Sequence, residues 1–156
     1  MTKRSAGGVV FGGGSALGAA VIGSLASARA PKVYRNLRKP RWAPPEGVFG
    51  PVWTTLYAAI GVAGWRLWNR RAGRGVLGLH VAQLALNALW PVTFFAARNR
   101  PAALAVVAAL DGAVAAEIVL AARRDPLAAG LLGPYLAWSL FATALTASVG
   151  DPSETR

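Results

Sequence analysis

Five long stretches almost free of charge govern what this chain can become. Residues 7–28 and 126–149 hold no charged side chain. Residues 47–65 are uncharged before Arg66 enters the stretch 47–68, 75–97 has His80 as its one titratable group, and 101–122 is interrupted by Asp111 and Glu117. A helix needs about 20 apolar residues to cross the hydrocarbon core of a bilayer, and each stretch reaches that length. In lipid a helix also satisfies its own backbone donors and acceptors, which an open strand cannot do. The expected fold is all-α: one membrane domain over 1–156. Five transmembrane helices are expected at about 7–28, 47–68, 75–97, 101–122 and 126–149, with one long connection at about 29–46.

Charge supports the same reading. Only 15% of residues are charged, against roughly a quarter in soluble domains. The net charge of +11 could suggest nucleic acid, but the basic residues lie between the apolar stretches rather than along one face. Lys and Arg flank membrane spans in this way and meet anionic head groups. Membrane lipids, and not nucleic acid, are the expected surroundings. One side would carry Lys3, Arg4, Arg66, Arg70, Arg71, Arg74, Arg123 and Arg124. The other would carry Arg29, Lys32, Arg35, Arg38, Lys39, Arg41, Arg98, Arg100 and Arg156. Eight against nine gives no orientation by the positive-inside rule.

Lys3 and Arg4 followed by an apolar run and Ala28-Arg29-Ala30 resemble a signal peptide. A signal core spans about 7–15 residues, however, and this run is longer, so a retained first helix is expected. Its Gly8/Gly12 and Gly14/Gly18 pairs are GxxxG spacings that allow close helix packing in lipid. They suit either packing within the bundle or a contact between two copies.

The chain has no cysteine and one histidine. Disulfides, thiolate chemistry and multi-histidine metal sites are excluded, and no metal site is expected. His80 could be an axial haem ligand, but a polar or interfacial role is favoured. Phosphate-cradling, dinucleotide-binding and nucleophile-elbow motifs are absent, so no catalytic residue is assigned firmly.

The aromatic and polar residues inside the spans are more informative. Trp65 and Trp68 adjoin Arg66 and Arg70, as an interfacial aromatic belt would. Trp53 shares a helical face with Tyr57, and Trp138 shares one with Ala142 and Leu145. Gln83, Asn87, Trp90 and Phe94 recur at spacings of four, three and four, which aligns them on one face. Pro91 cannot donate to the Asn87 carbonyl, so Asn87 suits a structural hydrogen bond or a ligand contact. Asp111 and Glu117 are intramembrane carboxylates, which mark function by default. Their spacing of six separates them around the helix, so each needs its own partner: His80, an amide or a wet crevice.

The run Lys39-Pro40-Arg41-Trp42-Ala43-Pro44-Pro45 followed by Phe49-Gly50-Pro51-Val52-Trp53-Thr54-Thr55-Leu56-Tyr57 resembles the loop and second helix of the tryptophan-rich sensory protein family. That family is also called the translocator protein or peripheral benzodiazepine receptor family. Gln83 to Trp90 with Phe94-Phe95 is similar to its third helix. Leu131-Leu132-Gly133-Pro134-Tyr135-Leu136-Ala137-Trp138 with Phe141-Ala142-Thr143 is similar to its fifth. The resemblance implies a bacterial-type member in the cell membrane, a homodimer, with a pocket among the helices closed by the first loop. It implies protoporphyrin IX, haem and drug-like hydrophobic compounds as ligands, with no obligatory cofactor. It places Trp53, Asn87, Trp90, Trp138, Ala142 and Leu145 around that pocket, with Tyr57 beside Trp53, and Pro44, Pro45 and Phe49 in the lid.

Gly47 stands where many relatives have Trp, and Val33-Tyr34 where many have Trp-Tyr. Leu145 to Gly150 lacks the Asn and Tyr of the animal sterol element, so sterol recognition through that element is not expected. A membrane receptor or sensor for tetrapyrroles is the leading expectation. Transport of porphyrin or another amphipath is the alternative. So is light-dependent porphyrin degradation, with Trp53 and Trp138 as the candidate catalytic groups.

Overall fold

A computed structural model describes residues 3–28 and 30–154. Arg29 and Arg156, counted in the charge balance above, lie outside the described residues. Five long helices cross the fold: α1 (Lys3–Ala26), α3 (Phe49–Asn69), α4 (Arg74–Pro91), α5 (Arg100–Ala122) and α6 (Pro126–Ser148). A short helix, α2 (Ala30–Asn36), lies between the first two. No strand occurs among the described residues, and all five long helices are apolar enough to cross a membrane. α1 starts at Lys3, several residues ahead of its uncharged run.

Local chemistry sets the helix ends. Asn99 caps α5, its side chain accepting from the Ala102 N–H at 3.0 Å, and Asp125 caps α6 by accepting from Leu127 and Ala128. These caps satisfy backbone donors that have no partner within the helix, and Pro follows each cap where its missing N–H costs nothing. Gly73 precedes α4 at φ 94°, a conformation open to glycine and strained for other residues.

The third span does not run as one regular helix. Pro91 breaks the donor ladder, and Val92–Ala96 continues as a π-helical turn. The Ala97 N–H accordingly reaches the Val92 carbonyl at 2.8 Å, five residues back.

The helices close into a ring in the order α1, α3, α6, α5, α4 and back to α1. α1 joins it through Gly8, Gly12, Ala16, Ala19 and Gly23, a buried small-residue seam. A methyl on Gly12 would overlap the Gly61 carbonyl and the Trp65 amide of α3, so glycine is what allows this approach. Val10, Leu17 and Leu25 point outward from the other side of α1, which in a membrane protein is the lipid side. Two clusters form the interior. The larger holds Leu56, Ile60, Leu67, Leu84, Val107, Leu110, Leu132 and Tyr135. The smaller lies at one end and joins Val33, Tyr34 and Leu37 to Phe94, Ala103, Leu145 and Val149.

The connection expected as a loop at about 29–46 is therefore partly helical and packed. Val33, Tyr34 and Leu37 form one apolar edge of an otherwise basic segment and bury against the bundle end. The Tyr34 hydroxyl donates to the Pro44 carbonyl at 2.7 Å, and the Gly150 N–H donates to the Arg38 carbonyl at 2.9 Å.

Candidate functional site

Beneath this strap lies a cavity of about 300 Å³, within the range of small-molecule sites. Its walls come from α1, the strap, α3, the third span and α6. Ser27 closes α1, while Ala30, Pro31, Tyr34 and Leu37 belong to the strap. Glu46, Phe49, Gly50 and Trp53 lead into α3, Trp90, Phe94 and Phe95 come from α4 and its π turn, and Leu145, Thr146 and Val149 come from α6. Trp90 stacks on Phe94 at 5.5 Å between ring centroids with 10° between planes, and Phe95 meets Phe94 edge-on at 4.9 Å. The π turn produces this geometry: the shifted register after Pro91 brings Phe94 and Phe95 together with Trp90. The indole N–H of Trp90 is buried without a partner. Flat aromatic walls with few polar groups suit a flat apolar ligand.

Of the residues expected around a pocket, Phe49, Trp53, Trp90 and Leu145 line this cavity. Trp138 lies one ring farther back, 5.9 Å from Phe49 and 5.1 Å from Phe141. Pro44 acts through its carbonyl, which anchors Tyr34, and Pro45 leads in extended conformation into the turn Glu46–Val48. Ala142 packs against the larger core. Asn87 accepts a hydrogen bond from Tyr57 at 2.6 Å in the bundle interior. Tyr57 and Trp53 also border a second, more open groove of about 590 Å³ between α1 and α3.

Lining groups that the sequence did not place at a pocket include Tyr34, Leu37, Glu46 and Val149. The signal available for the first two was the apolar i, i+1, i+4 spacing of Val33, Tyr34 and Leu37 among basic residues. Burial pushes the Tyr34 phenol above its ordinary value.

The intramembrane polar groups are settled elsewhere. His80 is fully buried within the bundle, with Nδ1 hydrogen-bonded to Glu117 Oε1 at 2.6 Å. Its Nε2 lies so close to Gly64 that a methyl there would stand 2.6 Å away, and His80 does not line the cavity. Asp111 accepts from Ser139 and from Thr143, the latter at 2.6 Å. Gln83 accepts from the buried Tyr135 hydroxyl at 2.9 Å. No group of three or more potential metal ligands occurs among the described residues.

Comparison with known proteins agrees with this architecture. The family model for the TspO/MBR family matches residues 11–150. The chain is 47% identical over 117 residues to the Translocator protein of Homo sapiens, covering 72% of this chain and 69% of that protein. It is 39% identical over 112 residues to the Tryptophan-rich sensory protein of Cereibacter sphaeroides, covering 72% and 71% respectively. A Tryptophan-rich protein TspO from Archaeoglobus fulgidus is 39% identical over 118 residues, covering 74% of this chain and 76% of that protein. The chain therefore belongs to the TspO/MBR family, and its five apolar helices make it an integral membrane protein of that family.

Proposed function

We propose that this protein is a membrane receptor or sensor that binds tetrapyrroles such as protoporphyrin IX or haem, and related hydrophobic compounds, in the cavity under the α2 strap. The observation that carries this reading is the wall of Phe49, Trp53, Trp90, Phe94 and Phe95 around one cavity. A macrocycle buries a large flat apolar area, and such faces gain most from offset or edge-on aromatic contact. Asp111 and Glu117, the carboxylates a proton-coupled transporter could use, each have partners inside the bundle, which favours the receptor reading over the transporter. A homodimer belongs to the same proposal, because Gly14 and Gly18 meet nothing within 4 Å and leave a small-residue face of α1 open.

The test is a titration of the detergent-purified protein with protoporphyrin IX, followed by quenching of Trp fluorescence. Saturable quenching is expected, weakened about tenfold by Trp90→Ala, the scale of one aromatic contact with its buried area. Non-saturable quenching would remove the tetrapyrrole reading. Trp138→Phe under illumination separates the degradation alternative: unchanged loss of porphyrin absorbance would exclude a chemical role for Trp138.

A further inference from the structure

Among the described residues, Glu46 is the one cavity-lining residue that carries a charge. Its Oε1 accepts from Arg35 Nη1 at 2.9 Å. Arg35 belongs to α2, and Glu46 opens the turn that feeds α3, so this pair ties the strap to the head of α3 at the cavity edge. Both side chains remain in contact with solvent, at 62% and 39% of their full exposure. Water competes for both charges in an exposed pair, so the bond is weak and readily exchanged.

The surroundings favour an incoming anion. Residues 30–46 hold Lys32, Arg35, Arg38, Lys39 and Arg41 against Glu46 alone. Lys39 is committed, donating to the carbonyls of Tyr34, Arg35 and Leu37. None of Lys32, Arg35, Arg38 and Arg41 lines the cavity, but Arg35 pairs with Glu46, which does. Arg35 is thus the cation that pairs with a cavity-lining group through an exchangeable bond. Its planar guanidinium fork matches a carboxylate with two parallel donors.

We infer that Arg35 docks a carboxylate of the bound ligand, and that Glu46 stands in for that carboxylate when no ligand is present. The cavity would then select flat apolar bodies with an acidic edge, the ring against the aromatic walls and the acid at the strap. Ligand entry exchanges one carboxylate for another on Arg35 and releases the tie between α2 and α3. This inference rests on the tetrapyrrole-binding reading and assigns its acidic end.

The experiment compares two probes, protoporphyrin IX and its dimethyl ester, which share the macrocycle and differ in the two carboxylates. Fluorescence titrations in detergent give the ratio of diacid to ester affinity for wild type, Arg35→Gln, Arg35→Lys and Glu46→Gln. Arg35→Gln is expected to lower the ratio about fivefold, the scale of one partly exposed charged contact. Glu46→Gln should raise it by removing the competing carboxylate, and Arg35→Lys should recover part of the loss. Added salt should shrink each change. Binding of the ester by each variant shows that the cavity is intact. A ratio that neither Arg35→Gln nor Glu46→Gln moves overturns the docking role and leaves tetrapyrrole binding standing. Wild-type protein that binds neither probe saturably overturns tetrapyrrole binding, and the docking role with it.

Discussion

Glu117 and His80 meet across 2.6 Å with both side chains fully buried, and Glu117 Oε2 and His80 Nε2 have no other partner. Removing one partner would leave the other desolvated and unpaired, which costs more than the bond itself contributes. Glu117→Leu is expected to destabilise the protein by about 3 kcal/mol, and His80→Leu by a similar amount. Replacing both with leucine should recover much of that loss, because two apolar side chains leave nothing unsatisfied. Thermal unfolding of the four proteins in detergent measures the coupling. Additive losses in the double variant would show that the pair contributes little. Glu117 finds the histidine that was one of its expected partners, but Asp111 does not follow the same rule. It takes two hydroxyls, from Ser139 and Thr143, and hydroxyls on another helix leave no mark in the sequence around Asp111.

α1 carries two glycine pairs of identical spacing with opposite surroundings. Gly8 and Gly12 face Trp65, Gly61 and Asn69 of α3, while Gly14 and Gly18 face open space. Gly12→Ala is expected to destabilise by about 2 kcal/mol, because its methyl meets α3 backbone that cannot give way. Within one subunit Gly14→Ala is expected to be neutral, or to stabilise by up to about 1 kcal/mol through helix propensity, so any loss it causes falls on the proposed contact between two copies. Melting temperatures of the two variants in detergent check the contrast, and equal shifts would place both pairs in the same environment. Spacing alone could not distinguish them, because both pairs are GxxxG. The decision lies with the large side chains of α3 and the direction in which α1 crosses them. In the third span the sequence was more explicit: Pro91 marked the break, and the π turn after it carries Phe94 and Phe95 into the cavity wall.

At the end of the molecule opposite the cavity, Asp125 joins α6 to the end of α3. It caps α6, pairs with Arg66 of α3 at 3.0 Å and lies 3.4 Å from Arg70, just past the end of α3. Burial pushes its carboxyl up, but the Arg66 hydrogen bond and charge and the α6 backbone N–H groups outweigh burial and hold it below its ordinary value of 3.8. A carboxyl depressed in the folded state takes its proton first in the unfolded state. Its contribution is therefore complete above the ordinary aspartate value and lost as pH falls through the folded one. Wild-type melting temperature should drop in that acid range, and Asp125→Asn should flatten the drop while costing about 1 kcal/mol at neutral pH through the weakened cap. An unchanged acid profile in Asp125→Asn would assign the drop to other groups. At the cavity end Arg100 plays the matching role, donating to the carbonyls of Thr146 and Ala147 at the close of α6.

The sequence by itself determined the five spans, because crossing a bilayer depends on local length and hydropathy and each stretch meets both alone. It also determined the family resemblance, since its motifs are contiguous. The tertiary structure decided the ring order. Helices that are apolar on nearly every side carry little record of which face meets which neighbour, so α3 adjoins α1 and α6 more closely than its successor α4. It also decided the strap. Seven residues of α2 among basic and proline residues make a poor helix alone, and Val33, Tyr34 and Leu37 hold it in place only because the bundle end offers Phe94, Leu145 and Val149. Phe49, Trp53, Trp90 and Leu145, expected at a pocket from the sequence, line the cavity. Its charged edge was not, because Arg35 and Glu46 become neighbours only when the strap folds back over the cavity.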